Sequence, residues 1–277
     1  FAYKRMRSTA MIHALLMSYP SAALNQRKIE RRVDYWCEKA DCVLSPNLDG
    51  FGRWEVLLNS TLCIDLDKWP RTNRRSIADG FSGDPVVIVH APNHRGFKGT
   101  EFVFEAVKNL SDEGLNVELI LLENFQNSTV REVLSLRADI LVEQLIYPGY
   151  TMNGVEGMAT GIPVIDNLED EERLRTVRRW SYFGECPVVS ASPENLSNVL
   201  RKLITRPELR EQLGSAGRAY VEKYHGLDSA QYLFRNVIEY VYGRKESLIN
   251  LYHPLLGEYP NRSPKIQHPL VNNRIVD

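Results

Sequence analysis

The sequence predicts a doubly wound parallel α/β sheet, accompanied by part of a second α/β domain. Three observations carry this. From Pro85 onward, short apolar runs alternate with amphipathic stretches at helical spacing, five times over about 140 residues. The runs Val86-Val-Ile-Val-His90 and Val164-Ile165 are continuous rather than alternating, as strands buried on both faces are. Finally, the stretch from Tyr147 to Asp166 reads as loop, short helix, tight turn and buried strand, the unit from which such sheets are built.

The elements follow in order. A helix is expected up to Tyr19, where Pro20 argues for a stop, and a second over 21–40. The segment 41–46 reads as a short strand and 47–52 as a loop. Residues 71–84, with Arg71, Arg74, Arg75, Gly80 and Gly83, read as a linker. Strands are expected at 86–90, 116–122, 139–142, 163–165 and 187–189. Thr100 is placed to cap the first intervening helix, in which Val103, Ala106, Val107 and Leu110 recur at helical spacing. Further helices are expected at 129–137 and 170–179. Ser192-Pro-Glu predicts a helix with serine as cap and proline at its first position. Helices at 207–213 and 218–224 are separated by Gly214 and Gly217, another spans 229–242, and 244–277 reads as an extended tail.

Composition narrows the function classes. The chain has 277 residues, room for about two domains. A net charge of −1 gives no global field for nucleic acid or an anionic membrane. No signal peptide is recognisable, and no apolar run reaches the length of a membrane span. Cytoplasmic residence is the expectation, with a contact at the inner membrane face as the further reading of the basic start Lys4, Arg5 and Arg7, against a plain solvated helix end. Phe1, not Met, opens the chain, as expected of a cut, processed or partial chain. The cysteines at 37, 42, 63 and 186 form no zinc set and read as reduced thiols. Asp65-Leu-Asp67 has the spacing of a divalent-metal pair, but no metal-ligand cluster accompanies it, and neither metal nor cofactor is expected. A nicotinamide dehydrogenase is disfavoured, since the loop after the first strand offers only Gly96-x-x-Gly99.

Ligands of open α/β sheets bind beyond the carboxyl ends of the strands. There the loop 90–100 carries Arg95 and Lys98 beside a helix start at Thr100, cations and free amides that suit a diphosphate. His90 and His94 are candidate polar contacts in the same loop. In the second loop, Gly149, Tyr150 and Thr151 precede Asn153 and Glu156. Those last two residues have the spacing of a capping box, with Asn153 as the cap. Glu156 could instead accept from both hydroxyls of a ribose. Tyr150 and Thr151 are expected to border the sugar or phosphate, with a buried ring as the alternative for Tyr150. Gly161 is expected to end the helix in a left-handed turn.

Glu156-Gly-Met-Ala-Thr-Gly-Ile-Pro-Val164 resembles the second half of the E-x7-E-A-M-A-x-G-x-P-V pattern of GT-B glycosyltransferases of the family-4 type, the group that includes capsule and cell-surface polysaccharide enzymes. The first glutamate of that pattern falls at Pro148 and is absent. Glu143-Gln-Leu-Ile-Tyr-Pro-Gly-Tyr150 is similar to the D-Q-L-L-I-G-x-Y-G variant of some branches, and Lys98-Gly99 matches the family's K-G. The resemblance covers about residues 85–243. It implies a nucleotide-sugar domain at 81–226, a partial, N-terminally truncated acceptor-side domain and hinge at 1–80, a return helix at 227–243 and a tail at 244–277. It also implies the transfer of a hexose from a nucleoside-diphosphate sugar to a glycan or lipid-linked hydroxyl, with retention and without metal. Lys98 and Arg95 would stabilise the leaving diphosphate and Glu156 would hold the ribose. A non-catalytic nucleotide-binding or partner-binding module is the alternative.

Overall fold

The computed structural model describes residues 9–45, 53–58, 63–72, 77–169 and 171–276. The basic start at Lys4, Arg5 and Arg7, the loop 47–52 and Arg74 and Arg75 of the linker lie outside the described residues. The chain divides into two compact units, 1–63 with 170–184 and 227–265, and 64–169 with 185–226 and 266–277.

The second unit is built on a five-stranded parallel sheet in the order β2-β1-β3-β4-β5. Its strands are β1 (Val86–His90), β2 (Val117–Leu121), β3 (Ile140–Pro148), β4 (Val164–Asn167) and β5 (Val189–Ser190). Helices α1 (Arg95–Lys98) and α2 (Thr100–Asp112) follow β1. Next come α3 (Asn127–Leu136) after β2, α4 (Met152–Thr160) after β3, and α5 (Leu196–Thr205) and α6 (Pro207–Tyr224) after β5. All five residues of β1 are buried, as a central strand covered on both faces requires. Val86 and Ile88 join Val103, Leu110, Leu200 and Leu203 in one hydrophobic core, so α2 and α5 share a face of the sheet. On strand alternation Val87 and Val89 turn the other way. Helix α4 crosses the sheet closely: a Cβ on Gly157 would stand 2.6 Å from Leu141 and 2.9 Å from Val164.

The helix expected over 21–40 is instead two, Pro20–Leu24 and Gln26–Lys39, and the second unit departs from the expected elements chiefly at five places. β3 runs on to Pro148 instead of stopping at 142, so Tyr147 and Pro148 are strand rather than loop. Thr100 is the first residue of α2, not its cap; Gly99, at φ +73, takes the cap position in a backbone conformation that L side chains rarely adopt. The helix signalled by Ser192 begins only at Leu196, after a turn in which Asn195 Oδ1 accepts from Ser192 N at 2.8 Å. Gly214 and Gly217 do not interrupt α6, which is one helix of 18 residues. They are contact points: a Cβ on Gly214 would lie 2.0 Å from the carbonyl oxygen of Gly161, and one on Gly217 3.2 Å from Met158. Nor is the tail simply extended. Leu270–Val271 and Arg274–Ile275 form an antiparallel hairpin whose central Asn272 and Asn273 both have positive φ. Asn273 donates to the carbonyls of Cys186 and Val188 and accepts from Ser190 N, fastening the hairpin to β5.

The 64–72 segment belongs to this unit. Trp69 is buried, its carbonyl accepts from Arg218, and Ile64 N donates to the carbonyl of His225. The first unit holds helices Thr9–Ser18, Pro20–Leu24, Gln26–Lys39, Glu171–Trp180 and Leu227–Val241, and a short parallel pair, Leu44–Ser45 with Val56–Leu57. It also holds an aromatic cluster of Tyr182, Tyr232, Tyr252 and Tyr259, with Arg262 over two of the rings. Among the described residues no helix is long and apolar enough to cross a membrane.

Candidate functional site

The carboxyl ends of β1, β2 and β3 open onto a cavity of about 410 Å³. Lys98, Thr151, Asn153 and Glu156 all line it, together with Asn93, Asn127 and Phe125. Four residues separated by up to 58 positions in the sequence thus converge on one cleft, as a doubly wound sheet demands of its loops.

Lys98 is the cation of this wall. Gly99 turns the chain sharply between α1 and α2, and Lys98 is carried inward, only 4% exposed. Its Nζ donates to Glu143 Oε1 at 3.1 Å and to Gln144 Oε1 at 2.8 Å, and lies 3.4 Å from Thr151 Oγ1. Glu143 is completely buried at the point where α4 begins. Thr151 N donates to both of its oxygens at 3.0 Å, and the Thr151 hydroxyl donates to Oε1. Burial opposes the charge on Glu143, but Lys98, Asp166 and Thr151 together outweigh it and hold the carboxyl below its usual range. Gly154 makes room for this group, since a Cβ there would stand 2.4 Å from Glu143 Oε2. The Thr151 amide at the start of α4 is therefore engaged by the protein's own carboxylate, a favourable position for an anion beside a helix N-terminus.

Glu156 and Asn153 do not form a capping box. α4 starts at Met152, its cap residue is Thr151, and no side chain caps it. Asn153 lies inside the first turn, lining the cavity, with both amide atoms buried and without a hydrogen-bond partner among the described residues. Glu156 Oε1 instead accepts from Asn127 Nδ2, across from α3, at 2.8 Å. Burial raises its pKa, the Asn127 bond lowers it, and the charge of Glu143 raises it further; the net direction is upward.

The remaining candidates lie off the cavity wall. Arg95 is exposed, fork-paired to Glu123 at 2.7 Å and bonded to Glu101 at 3.0 Å. Tyr150 is a buried ring whose hydroxyl meets Tyr220 at 3.0 Å and His225 at 2.8 Å, so the second of its two readings holds in the structure. Gly149, at φ +95, has its carbonyl taken by Gln144 Nε2. Thr100 turns its hydroxyl to His90 Nε2 at 2.9 Å. Since the carbonyl of Val142, 2.7 Å from His90 Nδ1, can only accept, Nδ1 carries the proton and Nε2 accepts from Thr100. Burial, opposed by that carbonyl bond, pushes His90 down to about 4. Asp65 accepts from Lys68 at 3.0 Å in an exposed turn. Among the described residues no group of three or more His, Cys, Asp or Glu side chains could hold a metal ion.

Three participants escaped the sequence: Glu143, Asn127 and Asp166. A signal for Glu143 existed, because a charged residue followed by a polar one, Glu143-Gln144, interrupts an apolar strand where burial makes charge costly. Asn127 carried none, sitting before the expected helix start.

No protein-family model matches this chain, and no curated protein does. Among solved structures it is similar to Anabaena Alr3699/HepE, crystallised in complex with UDP and glucose, with a TM-score of 0.54 at 14% identity over 80% of this chain and 69% of that one. At that identity the likeness speaks for the fold alone, and the fold is a GT-B-like, Rossmann-type α/β fold.

Proposed function

We propose that this chain is a glycosyltransferase that uses a nucleoside-diphosphate sugar. The observation that carries the reading is the convergence of Lys98 and Glu156 on one cleft at the carboxyl ends of the strands. It is supported by a fold similar to that of a protein crystallised with UDP and glucose. Lys98 would draw charge off the departing diphosphate, and the carboxylate of Glu156 would accept from ribose hydroxyls. Asn153, with no partner among the described residues, is a ready contact for the same ligand. Retention, a hexose donor and a glycan or lipid-linked acceptor are the finer parts of the proposal and rest on the family resemblance.

A binding module without turnover is the second reading. It is favoured by Arg95, whose guanidinium is engaged by two carboxylates outside the cleft and so leaves Lys98 as the cation on its wall. The test is a titration with UDP, GDP and ADP, followed by donor hydrolysis with the matching sugar nucleotide. At about a hundredfold excess over Kd the nucleotide should stabilise the fold by about 2.7 kcal/mol. Glu156→Gln should cost about 1 kcal/mol of that affinity. Absence of any shift at millimolar nucleotide sinks the reading, and binding without hydrolysis or transfer moves it to the module.

A further inference from the structure

Directly behind the cleft wall lies a dry set of charges that the proposed function does not use. Asp166 ends the buried part of β4 and is 0% exposed, as is Glu143 on the neighbouring β3. In the sheet ladder Asp166 is the partner of Gln144, where the register shifts after Val142, and its carboxyl lies against that of Glu143, within side-chain hydrogen-bonding reach. Among the described residues no side chain donates to either carboxyl oxygen of Asp166. Two ionised carboxylates are acceptors only and cannot bond to one another; a single proton converts one of them into a donor to the other. Leaving both ionised would set two buried negative charges against the one ammonium of Lys98, an imbalance a dry site resolves by keeping a proton.

We propose that Glu143 and Asp166 hold one proton between them and together act as the positioning pair for Lys98. The proton resides on Asp166, which donates to Glu143. Glu143 keeps its negative charge and grips Lys98 Nζ, while Gln144 and Thr151 fix the direction of that grip. The groups facing the pair are Lys98 from α1, Thr151 and Glu156 around α4, and His90 from β1, which is neutral. Burial first, then the charge of Glu143, drives the carboxyl of Asp166 well above its usual range, in the direction the geometry requires. Lys98 thereby meets one negative charge, not two, and retains attraction for a phosphate in the cleft. This use of Lys98 rests on the donor reading; the shared proton does not.

Infrared spectroscopy of the ligand-free protein at pH 7.5 tests the proton. A protonated-carboxyl band that D166N removes is expected; a band that D166N leaves intact, or no band, overturns the proposal. Should D166N not fold, Glu156→Gln removes the other carboxyl raised by burial, and the band must survive there. UDP titrations test the positioning. Asn is a neutral donor like the protonated acid, so D166N should bind UDP within about twofold of wild type. D166A, which has no donor for Glu143, should bind at least about fivefold more weakly. A gain of about tenfold in D166N would mean that Asp166 had been ionised beside Lys98, and equal binding by D166A would remove the positioning role. If wild-type protein binds no UDP yet shows the band, the proton pair stands and the donor reading falls.

Discussion

Arg95 and Lys98 open and close the same helical turn, carry the same charge, and live in opposite physical worlds. The Arg95 side chain is 48% exposed and its partners Glu123 and Glu101 reach it through solvent, whereas that of Lys98 is 6% exposed against a Glu143 that is fully enclosed. Coulomb attraction between neighbours weakens as water enters between them, and exposed ion pairs contribute little. The same chemical pairing is therefore decoration at one end of the turn and an obligation at the other. Two basic residues in one loop read alike in a sequence; the side on which Gly99 turns the chain decides which of them matters.

The comparison breaks most visibly at Lys98. Lys98→Met strands the Glu143 charge in a dry site, and removal of one partner from such a pair costs about 3–5 kcal/mol. Urea unfolding should record that loss together with loss of nucleotide binding; a stability within error of wild type would mean Glu143 is not charged.

Acid should act on the enclosed side next. His90 is neutral when folded, at about 4 against 6.5 in the unfolded chain, so the unfolded state binds more protons between those values. The stability that neutral His90 contributes is full above pH 6.5 and is lost as pH falls toward 4, by about 3 kcal/mol in all. Asp166, shifted the opposite way, keeps its proton in the folded protein while the unfolded chain has largely lost it, so it opposes this loss over the same range. The slope of unfolding free energy between pH 7 and 5 should be lower in His90→Asn than in wild type, and an equal slope in both proteins would assign it to other groups.

Two glycines sharpen the contrast further. Gly154→Ala drives a methyl into Glu143 and should cost about 1–3 kcal/mol as overpacking, whereas Gly96, with nothing within 4 Å of its virtual Cβ, should accept alanine with a gain of about 0.4–1 kcal/mol. Thermal melts of the two variants read the difference in sign directly. The smallest effect belongs to Arg95→Ala, which should leave the melting temperature unchanged at physiological salt; a clear loss there would give the exposed pair a weight its solvation argues against.

Much of the sheet was legible because its evidence is periodic. β1 has the expected bounds, and β2 and the start of β3 lie within a residue of theirs, since continuous apolar runs between turn residues admit few alternatives. Gly161 was readable for the same local reason, as a left-handed helix stop at φ +83. What stayed hidden depends on contacts between distant residues. Gly214 looks like a break, but the reason for it is the carbonyl of Gly161 pressed against the helix that carries it. Asn153 and Glu156 have the spacing of a capping box, yet Asn127 claims the glutamate, and β3 outruns its apolar start, so the cap falls at Thr151. Glu143 was concealed by that extra length: with the strand ended at 142, its side chain had no direction and no burial.

The hairpin fastened over β5 has a bearing on how the protein behaves in a crowded solution. A parallel sheet ends in a row of backbone groups that seek partners, and an open row of this kind recruits other chains. Here Asn273 by itself answers Ser190 N of β5 through its carbonyl and two carbonyls just before that strand, those of Cys186 and Val188, through its side-chain amide. A turn that does no chemistry thus guards that edge against self-association. Substitutions at Asn273 would first be felt in solubility and storage, with the cleft still intact.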